Sequence, residues 1–131
     1  MTERPAPVVT TRTAAFWSGG AVGELRIQRC QSCGWWLHPP LPMCSQCHGR
    51  DLEAEVASGR GTIWSFTVNR YPWSAALEPP YVVAEVELDE QPGLRLVTVI
   101  VEVECDEVTI GMPVHIRFEP AGDAWVPVFA P

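Results

Sequence analysis

Four cysteines in two short pairs constrain this chain more than any other feature. Cys30 and Cys33 form one Cys-x-x-Cys unit, and Cys44 and Cys47 form a second after ten intervening residues. A pair at this spacing bends into a turn that aims both sulfurs at one point, and two such turns complete a tetrahedral cage. Residues 1–5 show no basic region leading into an apolar run, and the longest apolar stretch, residues 96–101, is interrupted by Thr98. That is far short of the roughly 20 residues needed to cross a bilayer. A cytoplasmic location is therefore expected, and there paired cysteines point to a metal rather than to disulfides. Gly34 and Gly49 are expected to supply positive φ values in the two turns. Four sulfurs fill the four positions of structural Zn2+ and leave none open for activating a water. Iron in a rubredoxin-like site is the alternative ion. His48 reads as a surface histidine, and Cys105 as a small semi-buried side chain beside two acids, Asp106 and Glu107, that disfavour a thiolate.

Thirteen prolines and ten glycines argue against long helices and for short strands joined by turns. Residues 1–12 are expected to form a mobile tail, residues 13–60 a short helix and a zinc ribbon, and residues 61–131 a barrel. The helix is expected within residues 11–18, capped by Thr11 or Thr13, anchored by Phe16 and Trp17, and ended by Gly19-Gly20. Leu25 and Ile27 alternate with Arg26 and Gln28 as a strand leading into the first knuckle, and residues 52–57 return from the second. Beyond Gly61, five strand patterns follow at regular spacing. Residues 81–88 alternate most clearly, and residues 95–103 are apolar enough to suggest burial on both faces. Five antiparallel strands of this size close most naturally into an OB-fold barrel, so the expected class is mainly β.

The residues also carry a resemblance. Phe16-Trp17, the lead-in from Gly23 to Cys30 and the two cysteine pairs are followed by Ser58-Gly59-Arg60-Gly61-Thr62. Ile110-Gly111-Met112-Pro113-Val114 and a terminal Pro127-Val128-Phe129 complete the series. Together these resemble the zinc-ribbon/OB-fold family catalogued as domain-of-unknown-function family thirty-five, over roughly residues 13–130. The resemblance implies association with acyl-CoA chemistry beside thiolase-like proteins. Its most concrete form is an accessory subunit of an actinobacterial steroid side-chain aldolase, which cleaves a steroid-CoA thioester by a retro-aldol step. One departure is the turn Gln91-Pro92-Gly93, longer than the family's usual glycine turn.

No catalytic set stands out. His38, His48 and His115 lie outside any nucleophile motif, and the pairs Glu85/Glu87 and Glu102/Glu104 are spaced to share one solvated strand face. There is no glycine-rich phosphate loop between a strand and a helix. Nine basic residues, all arginine, against 16 acidic ones give a net charge of −7, which disfavours a nucleic-acid-binding ribbon/OB module. A rubredoxin-like electron carrier is the third reading. A non-catalytic subunit that binds a thiolase-like partner, with acyl-CoA as a candidate ligand, is the expected function. Six tryptophans are many for so small a core. The candidate partner-interface residues are Phe16, Trp17, Trp35, Trp36, Trp125 and Phe129, with at least one of the adjacent Trp35 and Trp36 facing outward. Arg60, Arg70 and Trp73 are the CoA-binding candidates, because a guanidinium fork suits phosphate oxygens.

Overall fold

Two sheets hold all the strands among the described residues, 4–131 of a computed structural model. β1 (Leu25–Cys30), β2 (Trp36–Leu37) and β3 (Leu52–Ala57) form an antiparallel sheet in the order β2-β1-β3. β4 (Arg60–Asn69), β5 (Tyr81–Leu88), β6 (Arg95–Ile100), β7 (Pro113–Ala121) and β8 (Ala124–Ala130) close into a barrel in the order β4-β5-β6-β8-β7. With one short helix, α1 (Ala14–Ser18), in front, this is the mainly β architecture that the sequence suggests.

Alternation builds the barrel interior. On β5, Val82, Ala84, Val86 and Leu88 are buried, while Glu85 and Glu87 point away. β6 departs from expectation: Leu96, Thr98 and Ile100 are buried, but Val97 is 72% exposed. Its apolar residues therefore do not mean burial on both faces, because no element among the described residues covers Val97 on its outer one.

The all-antiparallel expectation also fails at one seam. An odd number of strands cannot close a ring with every neighbour antiparallel, so one pair must run parallel. That pair is β6–β8, joined at Ile100 and Phe129, with Val101 N–H donating to the Phe129 carbonyl at 2.8 Å. Pro127, two residues before Phe129, has no N–H to extend the ladder, and its carbonyl accepts instead from the Thr98 hydroxyl at 3.0 Å.

At the N-terminus, Arg4 reaches Glu119 at 2.7 Å. Residues 1–3 of the expected tail lie outside the described residues. α1 starts after Thr13, one of the two expected caps, but the Thr13 hydroxyl makes no capping bond and instead accepts from Thr10 N–H at 2.9 Å. The helix ends at Ser18 with Gly19 as its C-cap, as expected, and the chain continues as a 3-10 turn, Gly19–Val22, that stops at Gly23 with φ 73°. Gly20 serves close packing: a Cβ there would lie 2.3 Å from the Cβ of Trp125.

The ribbon sits on the barrel through Trp36, whose side chain joins the same apolar cluster as Leu25, Ile27, Leu94 and Phe129. Gln91 fastens the joint. Its side-chain N–H donates to the Trp36 carbonyl and its Oε1 accepts from the Trp36 N–H, both at 2.9 Å. The long Gln91-Pro92-Gly93 turn thus clasps the barrel to the ribbon, and Ser58 N–H donates to Glu90 beside it.

Candidate metal centre

The two cysteine pairs fold into the same local shape. In the first, Gly34 N–H donates to the Cys30 carbonyl at 2.9 Å and Cys30 N–H donates to the Trp35 carbonyl at 2.9 Å. In the second, His48 N–H donates to the Cys44 carbonyl at 3.0 Å and Cys44 N–H donates to the Gly49 carbonyl at 2.9 Å. The residue after each second cysteine takes the left-handed conformation: Gly34 at φ 81° and His48 at φ 62°. The second knuckle therefore bends at His48 rather than at the expected Gly49. Gly49 instead brings its N–H within 3.4 Å of Cys47 Sγ.

These turns place the four sulfurs within 4.8 Å of one another. Cys30 and Cys47 stand 3.6 Å apart, as do Cys33 and Cys44. Disulfide bonding requires about 2.05 Å, whereas a tetrahedron of thiolates on zinc spaces its sulfurs by about 3.8 Å. The cluster therefore fits a four-sulfur metal site. Cys30 and Cys44 are buried against Leu37, Trp35 and Leu52, and Cys33 and Cys47 face solvent.

The charges of the thiols lead the same way. The Cys33 N–H holds Cys30 down to about 6, and the Cys47 N–H lowers Cys44. The Trp35 N–H favours a Cys33 thiolate, but desolvation and the neighbouring sulfurs push that thiol up to about 12. Cys47 also rises: the Gly49 N–H opposes the shift, while Cys30 and desolvation drive it. On their own, the sulfurs cannot all be anionic. A cation at their centre is what allows four thiolates to coexist.

The aromatic candidates divide by burial. Phe129 is fully buried and Trp36 is 8% exposed, so both belong to the core rather than to a surface. Trp35, just before β2, packs against the cysteine cluster, whereas Trp36 belongs to the barrel-side core. Trp125 is half-buried against Gly20. Phe16 and Trp17 are half-buried, with rings 4.8 Å apart at 78°, and Phe16 also lies 5.1 Å from the ring of His38. Burial holds His38 down to about 4, so it is neutral at physiological pH.

The CoA-binding candidates do not converge. Arg60 begins β4 and Arg70 follows its end, about 30 Å away along an extended strand. Trp73 is 73% exposed in the loop after Arg70, its ring 4.6 Å from Tyr71. Gln91 and His38 were not legible as important side chains, and neither was the contact in which the Arg95 guanidinium lies 3.5 Å over the ring of Trp64. Only the unusual length of the Gln91 turn marked its place.

Comparison with known proteins follows this architecture. A family model described as the rubredoxin-like zinc ribbon domain of ChsH2 matches residues 17–53, and one described as the C-terminal OB-fold domain of ChsH2 matches residues 54–119. The chain is 40% identical over 129 residues to a "Probable enoyl-CoA hydratase alpha subunit" of Thermomonospora curvata, covering 98% of this chain and 40% of that protein. It is 38% identical over 125 residues to the "3-oxo-4,17-pregnadiene-20-carboxyl-CoA hydratase alpha subunit" of Mycobacterium tuberculosis, covering 92% of this chain and 39% of that protein. The chain thus spans about two-fifths of the length of these two curated relatives. Among solved structures, a chain titled "Ltp2-ChsH2(DUF35) aldolase" superposes with a TM-score of 0.86 at 38% identity, covering 96% of this chain and 98% of that one.

Proposed function

This chain belongs to the ChsH2 family of zinc-ribbon and OB-fold domains, and from that membership we propose that it is a non-catalytic accessory subunit of a thiolase-like enzyme. Its partner carries out acyl-CoA chemistry, most concretely the retro-aldol cleavage of a steroid-CoA side chain. The end-to-end likeness to a chain of an aldolase is the observation that carries this reading. The cysteine cluster supports it as well: four sulfurs fill a tetrahedral site and leave no position for a substrate.

Zn2+ at Cys30, Cys33, Cys44 and Cys47 acts as a structural staple in this reading. A ribbon of this size buries little core, so metal-binding free energy becomes folding free energy. Phe16, Trp17 and Trp125 stay as candidate partner contacts, and Arg60, Arg70 and Trp73 as separate candidates for CoA.

Co-expression with a thiolase-like candidate partner tests the proposal. The partner is expected to need the chain for solubility or for aldolase turnover of a β-hydroxyacyl-CoA. A partner equally soluble and active alone would overturn the accessory role. Metal analysis of the purified complex is expected to find one zinc per chain and no visible absorbance. A red, iron-containing protein would instead support the electron carrier.

A further inference from the structure

β3 leaves one side of the ribbon sheet unpaired. In the order β2-β1-β3 it is an outer strand, with β1 on one side and no strand on the other among the described residues. Gln31 N–H donates to the Asp51 carbonyl at 2.8 Å, which sets the phase of the ladder. Glu53, Glu55 and Ala57 therefore direct their N–H and C=O groups at Arg29, Ile27 and Leu25 of β1, and Leu52, Ala54 and Val56 direct theirs outward. Among the described residues, no hydrogen bond reaches those outward groups. Ala54 is exposed and Val56 is 57% exposed, so water reaches this edge. An open strand edge is a template for another strand, and the charges it carries decide which strand it accepts.

The side chains of β3 divide between two faces. Leu52, Ala54 and Val56 form an apolar row, and the first two line a groove of about 230 Å³ with Ala15 and Phe16 of α1. The charged residues of this groove are Arg12, Arg26 and Glu53, and Arg26 is held by Glu24 at 2.8 Å. The other face carries Glu53 and Glu55. Arg29 and Gln31 both bind Glu55, at 3.3 Å and 2.8 Å. Glu53 lies opposite Arg29 in the register, yet it has no ion pair among the described residues. An exposed carboxylate without a partner thus stands on the open edge. A second copy of this chain fits that edge poorly. Antiparallel self-pairing centred on Ala54 sets each Glu53 opposite Glu55 of the other copy, and a centre at Glu53 or Glu55 sets that residue against itself. Like charges directly opposite one another destabilise a strand pair.

We propose that the outer edge of β3 takes up a strand of the thiolase-like partner, one that alternates apolar side chains with a lysine or arginine beside Glu53. This inference rests on the accessory-subunit reading above. The added strand exchanges main-chain hydrogen bonds with the outward groups of Leu52, Ala54 and Val56. Its apolar side chains cover their row, and its cation pairs with Glu53. The free backbone groups select an extended segment, and the unpaired carboxylate selects its charge. Self-pairing of two copies is the competing occupancy.

The test measures binding of a co-expressed thiolase-like protein to wild type, Ala54→Pro, Ala54→Ser and Glu53→Lys. Proline at position 54 removes an N–H that β1 does not use, and its ring blocks an incoming strand. Serine keeps that N–H. Ala54→Pro is expected to weaken binding by about 30-fold or more and Ala54→Ser by less than about twofold. Glu53→Lys is expected to cost about fivefold, a difference that shrinks at high salt. Zinc content reports whether Ala54→Pro keeps its ribbon folded. Hydrogen exchange on the wild-type complex needs no variant: the amides of Ala54 and Val56 are expected to slow on binding, more than those of Glu53 and Glu55, which β1 already protects. A zinc-loaded Ala54→Pro that binds like wild type, or unchanged exchange at Ala54 and Val56 in an intact complex, would overturn the docking edge and leave the accessory role standing. Unchanged affinity for Glu53→Lys would overturn the charge selection. A wild-type chain that binds no thiolase-like partner would overturn the accessory role, and the docking edge with it. A homodimer that Ala54→Pro dissolves while partner binding stays intact would assign the edge to self-association and refute the proposal.

Discussion

His38 makes the stability of this protein depend on pH in a calculable way. Its ring sits beside Phe16 in a cleft without charged side chains, and burial lowers it from 6.5 to about 4. The folded state thus resists a proton that the unfolded chain accepts readily. Between these two values the unfolded state binds more protons, so stability rises with pH across that window and falls as acid is added. The full difference corresponds to about 3 kcal/mol, of which about 2 kcal/mol is lost between pH 7.5 and pH 5. For a chain of this size that amounts to a midpoint lower by about 7 °C. The assay is thermal or denaturant unfolding of the zinc-loaded protein at both pH values, for wild type and for His38→Phe. The phenyl ring keeps the stack on Phe16 but cannot titrate. Acid also protonates cysteine ligands, but equally in both proteins, so the contrast between them isolates the imidazole. His38→Phe is expected to lose about 2 kcal/mol less than wild type on going to pH 5. An identical loss in both proteins would refute the claim that His38 is buried as a neutral base.

Three more outcomes follow from the packing. Cys33→Ser is expected to release the metal and unfold the ribbon while the barrel strands stay partly formed, seen as zinc loss with retained β-sheet circular dichroism; full partner binding without metal would contradict this. Gln91→Ala leaves both backbone groups of Trp36 without their partners. It should cost about 1–3 kcal/mol and speed hydrogen exchange on β2 before it affects β7. Phe129→Ala empties the centre of the barrel and should destabilise it by about 3–5 kcal/mol in denaturant titrations. A loss below about 1 kcal/mol would place Phe129 at a surface after all.

Much of this molecule could be read before its structure was known, because the controlling interactions are local. The spacing of Cys30, Cys33, Cys44 and Cys47 already implies two turns aimed at one point, since a few bonds separate each pair. The alternation along β5 implies its buried face, because strand side chains alternate whatever the sheet around them.

The tertiary structure decided what depends on closure and on distant neighbours. Whether Val97 is covered cannot be read from an apolar run, because that depends on whether another element packs over β6. The parallel seam at Ile100 and Phe129 arises from the parity of a five-membered ring, not from any residue. Phe129 sits in the barrel core rather than at an interface, and Arg60 begins the strand whose far end Arg70 follows. Gln91 becomes a clasp only because Trp36, 55 residues earlier, is brought to it. Local chemistry is written in neighbouring residues; contact between remote ones exists only after the chain has closed on itself.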